Sequence, residues 1–341
     1  MEPIQINEFL KLSEENPIVD VRSPKEFNQG HIPGAVNIPL FNDEERAKVG
    51  ATYKQVNREE AIILGLEFAG PKMKDFVLKA KSLVRKDKLL VHCWRGGMRS
   101  ESMAWLFNTS DIEAVTLVKG YKAFRKHVLE YFSRPFRIQI LSGSTGSGKT
   151  EILKLLKTRG EQVIDLEGLA NHKGSVFGGL GKVSQPTTEQ FQNELFWELT
   201  LQDASKRIWL EDESIAIGKV FIPNALWDQM RRSPVIRVEL RKEERIKRLV
   251  NEYGSFEIAE LEERIRKIKK KLGGQHMKEA LKNLNDGNIA CTTDILLTYY
   301  DKAYNNSLER KNKQLVQSIY SNSFDAPQIV KKIIGIAEDR T

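Results

Sequence analysis

The chain has 341 residues, about twice the length of an average domain, and its composition of 40% hydrophobic and 29% charged residues excludes a disordered or collagen-like protein. Its net charge of +8 favours polyanionic partners, and two cysteines are too few for the disulfide framework of a small secreted domain. The amino terminus lacks a signal-peptide pattern and no apolar run approaches the roughly 20 residues of a membrane span, so we expect a cytoplasmic protein without membrane contacts.

Short apolar strands alternate with helical segments between Ile18 and Phe132, which predicts a parallel α/β sheet. The predicted strands are 18–21, 89–92 and 114–118, and the predicted helices include 73–84 and 102–107. The helix that starts near Lys122 is expected to end at Ser133 to Pro135, because proline cannot continue a helix. We therefore predict a domain boundary there, with domains over residues 1–133 and 134–341.

The second domain is also predicted to be α/β, with a helical carboxy-terminal part. Its first strand, 136–141, leads directly into a glycine-rich turn and a helix over 151–156. Further strands are predicted at 162–166, 207–210 and 235–240, and helical patterns dominate from Arg241 onward.

Positive charge is concentrated between Arg231 and Lys282. This stretch has 16 Lys and Arg against 9 Asp and Glu, so it carries +7 of the net +8. Pairs spaced four residues apart, such as Glu262 with Arg266, are typical of a solvated helical surface. The excess of positive charge also fits a face that binds nucleic-acid phosphates, and composition alone leaves both interpretations open.

Cys93 follows the strand 89–92 and opens the loop CWRGGMRS, residues 93–100, which runs into a helix. At such a turn backbone N–H groups converge and the helix dipole is positive, which lowers a thiol pKa and favours a bound anion. The residues expected to bind that anion are Arg95, Gly96, Gly97 and Arg99. Cys93 is therefore predicted to be reactive, whereas Cys291, without flanking glycines or arginines, is predicted to be buried and inert.

The spacing from Cys93 to Arg99 also fits the phosphate loop of cysteine-dependent phosphatases, in which a thiolate attacks phosphorus. The upstream segments DVRSPKEF (20–27) and GHIPGAVNIP (30–39) instead resemble the rhodanese family closely. That resemblance implies that Cys93 carries sulfur or selenium. The usual sulfurtransferase loop has one residue fewer between cysteine and arginine, and the wider loop here suits a tetrahedral, phosphate-sized group better than a bare persulfide.

Residues 143–150, GSTGSGKT, match the phosphate-binding P-loop pattern at every fixed position and lie between a predicted strand and a predicted helix. The loop amides are expected to bind a diphosphate, Lys149 to neutralise it and Thr150 to ligate Mg²⁺. The residues predicted to contact the diphosphate are Gly143, Ser144, Gly146, Gly148, Lys149 and Thr150.

Acidic residues follow two other predicted strands of the second domain. The segment 209–213, WLEDE, resembles a Walker B strand end, where carboxylates orient a metal ion or water, although acidic residues also end strands at solvated edges. The candidate Mg²⁺ ligands are Asp165, Glu167 and Asp212. The glycine-rich and basic segments 171–175 and 178–182 are predicted to close over a ligand.

The combination of a rhodanese-like domain that carries CWRGGMRS with a P-loop domain resembles the tRNA 2-selenouridine synthase family. The similarity extends to residues 165–172, 185–187 and 209–214. It implies a transferase that alkylates wobble 2-thiouridine of tRNA with geranyl diphosphate, giving S-geranyl-2-thiouridine. Selenophosphate then replaces the geranylthio group to give 2-selenouridine.

The same resemblance implies roles for individual residues. Cys93 holds selenium as an S-selanylcysteine intermediate or positions selenophosphate, and its loop binds the phosphate group. Residues 143–150 hold the diphosphate of the geranyl donor, and the basic stretch 231–282 contacts the anticodon region of tRNA. No tightly bound cofactor is implied besides a candidate Mg²⁺, and a separate enzyme that makes selenophosphate is expected as a supply partner.

Two other functions remain open from the sequence. An ATP-dependent tRNA sulfurtransferase would activate uridine at the P-loop and donate sulfur from the rhodanese domain. A nucleotide-gated binding module would leave the cysteine without a role, and the presence of both Cys93 and Lys149 argues against it. The apolar residues Phe177, Phe191, Phe196 and Trp197 are candidates to contact the geranyl chain, but core packing explains them at least as well.

Overall fold

The structure is a computed structural model that describes residues 2–84, 88–172, 184–254, 256–309 and 313–339. The chain divides into two compact units, Met1–Tyr131 and Phe132–Thr341. Each unit is built around its own parallel sheet, which confirms the predicted α/β class. None of the helices in these ranges combines the length and the apolar character that a membrane span requires.

The first unit contains the strands β1 (Ile18–Asp20), β2 (Val36–Asn37), β3 (Lys88–His92) and β4 (Glu113–Thr116). Its helices are α1 (Ile6–Leu12), α2 (Pro24–Gln29), α3 (Asp43–Gln55), α4 (Arg58–Ala69), α5 (Met73–Leu83), α6 (Met98–Thr109) and α7 (Gly120–Tyr131), with a 3₁₀ turn at Gly70–Lys72. The strands are parallel and lie in the order β2–β1–β3–β4. Leu89, Leu90 and Val91 of β3 are fully buried because helices cover both faces of the sheet. Cys93 thus follows the carboxyl end of an interior strand.

The second unit contains the parallel strands β5 (Ile138–Gly143), β6 (Gln162–Val163), β7 (Ile208–Glu211), β10 (Val235–Leu240) and β11 (Val316–Ser321), and an antiparallel pair β8 (Ala216–Ile217) and β9 (Val220–Phe221). The parallel strands lie in the order β11–β10–β5–β7–β6. The interior strand β5 leads into the P-loop, and β7 beside it leads into the acidic segment. Both groups therefore meet at the carboxyl edge of one sheet, where ligands of open α/β sheets bind.

Two strand predictions differ from the structure. The strand predicted over 162–166 ends at Val163, because Asp165 instead caps the following short helix by accepting a hydrogen bond from the Gly168 amide, 2.6 Å. The strand β11 lies in the region predicted to be helical, and it pairs with β10 along its whole length.

The helices of the second unit are α8 (Lys149–Thr158), α9 (Leu166–Leu169), α10 (Thr188–Thr200), α11 (Asn224–Arg232), α12 (Lys242–Tyr253), α13 (Ile258–Lys267), α14 (Lys269–Leu272), α15 (Gly274–Asn285), α16 (Ile289–Glu309) and α17 (Ala326–Glu338), with a 3₁₀ turn at Lys313–Leu315. The helices α12 to α16 bury a core of their own around Leu249, Ile265, Leu281 and Leu297. The helix α17 packs Ile329 against the apolar side of the sheet. The predicted helical carboxy-terminal part is therefore confirmed, apart from β11.

Candidate functional site

The Cys93 thiol lies at the amino terminus of α6 and is almost fully buried. The Ser100 hydroxyl donates a hydrogen bond to Cys93 Sγ, with 3.2 Å between the two atoms. Burial alone would raise the pKa of the thiol, but the Ser100 hydrogen bond, the Gly97 backbone and the Arg99 charge outweigh burial and lower it. The loop therefore makes the thiol more acidic than an ordinary cysteine, which increases the fraction present as the reactive thiolate.

The backbone of this loop is tied to the start of α7. The Tyr121 amide donates to the Cys93 carbonyl oxygen, 2.8 Å. Gly96 and Gly120 pack backbone to backbone at positive φ of 66° and 54°, and a Cβ at Gly96 would lie 2.4 Å from the Leu117 carbonyl oxygen. Only glycine fits at these two positions, so the conformation of the loop depends on Gly96 in particular.

A buried network of charged side chains packs against the start of α7, which also contacts the Cys93 loop. The side chain of Arg22 is fully buried, donates to Asp20 at 2.6 Å and to the Gly30 carbonyl oxygen at 2.7 Å, and lies 3.8 Å from the centre of the Tyr121 ring. These contacts connect both upstream rhodanese-like segments to the helix that also fixes the Cys93 loop. Removal of one partner would leave a buried unpaired charge, which is costly.

The two loop arginines differ in their surroundings. Arg99 donates to Glu26 of α2, with 2.7 Å between Nη1 and Oε2, and the charges of Arg99 and Arg46 lower the pKa of Glu26 against the opposing effect of burial. Arg95 is exposed to solvent. Arg99 is thus held in a fixed orientation beside the thiol, whereas Arg95 is accessible to an incoming anion.

The P-loop has the geometry that its motif predicts. Gly146 and Gly148 have positive φ of 84° and 82°, and a Cβ at Gly148 would lie 2.2 Å from a ring carbon of Phe324. Lys149 Nζ donates a hydrogen bond to the Gly143 carbonyl oxygen, 2.9 Å, and so links the end of the loop to its beginning. The loop ends at the amino terminus of α8, where the helix dipole favours a bound diphosphate.

The three acidic residues after β7 occupy different environments. Glu211 is buried and accepts from the Leu166 amide, 2.9 Å, and burial followed by the nearby carboxylates raises its pKa well above the usual value. Asp212 accepts a hydrogen bond from the Ser142 hydroxyl, which lies 2.5 Å from the Tyr304 hydroxyl. Asp212 therefore sits next to the end of β5, as expected of a Walker B carboxylate.

Among the three acidic residues after β7, Glu213 has a pKa that is affected by the charge of the P-loop lysine, Lys149. Burial, then the charge of Glu167 and a hydrogen bond with it, raise the pKa of Glu213 to about 8, while the Lys149 ammonium acts in the opposite direction. Burial and the neighbouring Glu167 therefore favour the protonated form of Glu213. The sequence did not distinguish Glu213 from its neighbours, because only the fold brings Glu167 against it.

The predicted Mg²⁺ ligands do not form a cage of their own. In the described ranges no three of the His, Cys, Asp and Glu side chains are grouped to enclose a metal ion. Proteins commonly hold Mg²⁺ with one or two side chains together with substrate phosphates and water. Thr150 in the P-loop and Asp212 at the neighbouring strand end have side-chain oxygens of the kind that such a site uses. Residues 173–182 of the predicted closing segments lie outside the described residues.

The basic stretch 231–282 contains two kinds of positive charge. Arg245 is buried, donates to the Thr145 carbonyl oxygen at 2.9 Å and pairs with Asp301 at 2.6 Å, so it braces the P-loop. By contrast, residues 264–282 contain eight Lys and Arg against a single Glu, and the lysines at 269–271 are all exposed. We call residues 264–282 the basic segment.

Two further sequence predictions have clear outcomes. Cys291 is exposed, so the prediction that it is buried is wrong; it lies on the outer side of α16. Phe191 and Phe196 of α10 are buried in the core, in line with the packing interpretation, and Phe177 lies outside the described residues.

Comparison with known proteins matches both units. Residues 5–127 match the model of the rhodanese-like domain, and residues 136–326 match the model of the tRNA 2-selenouridine synthase AAA domain. A tRNA 2-selenouridine synthase of Bdellovibrio bacteriovorus (strain ATCC 15356 / DSM 50701 / NCIMB 9529 / HD100) is 36% identical, covering 91% of this chain and 93% of the relative. One from Sulfurovum sp. (strain NBC37-1) is 33% identical, covering 88% and 91%. One from Hydrogenovibrio crunogenus (strain DSM 25203 / XCL-2) is 34% identical, covering 94% and 97%.

Proposed function

Because the chain belongs to the tRNA 2-selenouridine synthase family, we propose that it makes 2-selenouridine at the wobble position of tRNA through S-geranyl-2-thiouridine. The observation that carries this proposal is the presence of two separate loops at helix amino termini, one with a thiol of lowered pKa and one of the P-loop type. Two chemically different phosphorylated donors, selenophosphate and geranyl diphosphate, account for both loops. A single ATP-dependent reaction would leave the wide Cys93 loop without a phosphate-sized ligand.

In the first step, the sulfur of 2-thiouridine attacks the first carbon of the geranyl group. A carbon–sulfur bond forms, the carbon–oxygen bond to diphosphate breaks, and the proton on N3 of the base is lost. The amides of the loop 143–150 and Lys149 would stabilise the negative charge that develops on the leaving diphosphate. If Mg²⁺ is bound, Thr150 and Asp212 would hold it, and it would add positive charge at the same oxygens.

Geranylation changes the leaving group for the second step. The sulfur of a thiocarbonyl cannot leave, whereas geranylthiolate can. Selenium of selenophosphate forms a bond to C2 of the base, the C2–S bond breaks, and the electron pair leaves with geranylthiolate. Water then cleaves the P–Se bond to give phosphate and 2-selenouridine.

Cys93 has two roles that fit this step. In the first, its protonated thiol donates a hydrogen bond that positions selenophosphate, and no oxidant or reductant is needed. In the second, it carries selenium as S-selanylcysteine. Because the selenium of selenophosphate is at the selenide level, formation of the S–Se bond releases two electrons, which a disulfide cosubstrate would accept, and the thiols so formed would reduce the S–Se bond after transfer. Arg95, which is exposed, and the loop glycines Gly96 and Gly97 would bind the phosphate group, with Arg99 held next to them by Glu26.

The proposed tRNA contact is the basic segment within the stretch 231–282. Its exposed lysines lie on helices that fold into their own core, so they need no ligand for stability and are available for phosphates. Selenophosphate would come from a separate enzyme.

The proposal is tested with tRNA that carries 2-thiouridine, incubated with the full chain, and mass analysis of its nucleosides. Geranyl diphosphate alone should give S-geranyl-2-thiouridine, and both donors together should give 2-selenouridine. Formation of 2-selenouridine without geranyl diphosphate would overturn the proposed order. Modification that requires ATP and ignores geranyl diphosphate would support the ATP-dependent sulfurtransferase instead.

A further inference from the structure

The first unit contains a large cavity, about 1290 Å³, with Cys93 in its wall. Its other walls are mainly α3, α4 and α6, with contributions from α2 and α5. Small-molecule sites typically enclose roughly 300–1,000 Å³, so this cavity has room for a substantial ligand. All of its lining residues belong to the rhodanese-like unit.

The cavity is lined largely by apolar side chains, and several of them are exposed. Leu66 of α4 is 66% exposed, Trp105 of α6 is 61% exposed and Tyr53 of α3 is 53% exposed. Single exposed hydrophobic residues are common on proteins, but a group of them around one concave surface marks a binding site. An apolar ligand that binds in this cavity would remove these side chains from water.

Charged side chains also line the cavity; they include Lys25, Asp43 and Lys54, and a group of arginines that lines it together with the thiol loop. Arg46, Arg95 and Arg99 line it together with Cys93, and Glu26 pairs with two of these arginines. A ligand that suits this lining has a hydrocarbon portion and an anionic or polar portion next to the sulfur. A purely polar nucleic-acid segment would leave the apolar side chains exposed.

The chemistry of selenium transfer calls for such a site. The sulfur that leaves carries a ten-carbon geranyl chain and is bonded to the same carbon that accepts selenium. The chain must therefore lie within a few bonds of the selenium donor at Cys93, and in water it would expose its whole apolar surface. A second apolar site at a distance cannot serve, because chain and reacting carbon are covalently joined.

We propose that the cavity walled by α3, α4 and α6 binds the geranyl chain of S-geranyl-2-thiouridine while selenium replaces the geranylthio group. This inference rests on the proposed function and assigns a site for the hydrocarbon chain to the rhodanese-like unit. When the C2–Se bond forms and the C2–S bond breaks, the geranylthiolate departs with the electron pair, takes a proton from water and is held in the cavity until release. The cavity therefore selects for a long alkyl chain on sulfur.

The test uses synthetic RNA that already carries S-geranyl-2-thiouridine or S-methyl-2-thiouridine, with selenophosphate and the full chain, so geranyl transfer is bypassed. The wild type should prefer the geranyl substrate in kcat/KM by at least about a hundredfold. Leu66→Gln should reduce that preference roughly tenfold by placing an amide in the cavity. The matched control is Ile63→Gln, on the same helix and also exposed but outside the cavity, and it should leave the preference unchanged.

An unchanged preference in Leu66→Gln, or an equal loss with both substrates, would overturn the cavity assignment. A wild type that converts neither substrate to 2-selenouridine would instead contradict the proposed function. A second measurement needs no variant: RNA whose S-alkyl chain ends in a diazirine is irradiated with the wild-type chain, and the cross-linked peptides are mapped. Cross-links within residues 43–69 or 98–106 support the cavity, and cross-links confined to residues 132–341 overturn it.

Discussion

The Ser100 hydroxyl donates a hydrogen bond to the Cys93 sulfur, with 3.2 Å between the two atoms. Ser100 follows Cys93 by seven residues and lies in the first turn of α6. This hydrogen bond is the largest of the contributions that lower the pKa of the thiol against the cost of burial. The residue that does most to lower the thiol pKa thus belongs to the loop motif itself.

Replacement of Ser100 by alanine should raise the pKa of the Cys93 thiol, because the thiolate loses a donor and burial still disfavours it. The rate of alkylation by iodoacetamide at neutral pH should fall several-fold, and its pH profile should move to higher pH. Ser102→Ala is the matched control, since Ser102 lies on the same helix and its hydroxyl donates to the Met98 and Arg99 carbonyl oxygens instead. An identical pH profile for Ser100→Ala and wild type would contradict the role of this hydrogen bond.

Loss of the P-loop lysine should affect geranyl transfer and leave selenium transfer intact. Lys149→Ala removes the charge that would stabilise the departing diphosphate, and the rate of S-geranyl-2-thiouridine formation should fall about a hundredfold. The same variant should convert RNA that already carries S-geranyl-2-thiouridine at the wild-type rate. Lys154→Ala, at an exposed position of the same helix, is the control. Normal geranyl transfer by Lys149→Ala would refute the diphosphate role.

The raised pKa of Glu213 predicts how stability depends on pH. In the unfolded chain this group titrates near 4.5 and in the folded chain near 8, so between these values the folded chain binds more protons. The free energy of unfolding contributed by this group should therefore fall as pH rises through that window, by at most about 1.4 kcal/mol per pH unit.

Glu213→Gln should flatten this dependence, because the amide stays neutral at every pH. The remaining slope would come from Glu211, whose pKa is raised by burial in the same direction. Urea denaturation midpoints measured from pH 5 to 9 compare the two proteins. A variant as sensitive to pH as the wild type would show that Glu213 is not protonated in the fold.

Charge neutralisation in the basic segment should weaken tRNA binding. Lys270→Gln with Lys271→Gln removes two exposed positive charges, and the affinity for tRNA should fall roughly tenfold, with a shallower dependence on salt. Lys331→Gln with Lys332→Gln removes two exposed charges of α17 in the same unit and is the matched control. Equal effects of the two double variants would mean that tRNA responds only to net charge.

Local patterns predicted the parts of the site that are continuous in sequence. The loop 93–100 and the loop 143–150 both have the strand–turn–helix setting that their spacing indicates, since glycine placement and helix starts are local properties. The strand β11 escaped prediction because its exposed and half-buried residues, such as Gln317 and Tyr320, do not form an apolar run, and its partner β10 is about 80 residues away.

Contacts between distant residues could not be predicted in the same way. Glu26 lies 73 residues before Arg99, and nothing in either segment indicates that the two pair. The inward-facing Arg245 and the exposed lysines of the basic segment look alike in sequence, and only burial separates them. The apolar cavity could not be predicted from the sequence for the same reason, because helices from different segments form its walls.

If the two units perform separate steps, Cys93 is needed only for the second. The direct measurement is mass analysis of nucleosides after Cys93→Ser is incubated with 2-thiouridine tRNA, geranyl diphosphate and selenophosphate. S-geranyl-2-thiouridine should accumulate and 2-selenouridine should be absent, while tRNA affinity should equal that of the wild type. Formation of 2-selenouridine, or tRNA left entirely as 2-thiouridine, would contradict this separation of steps.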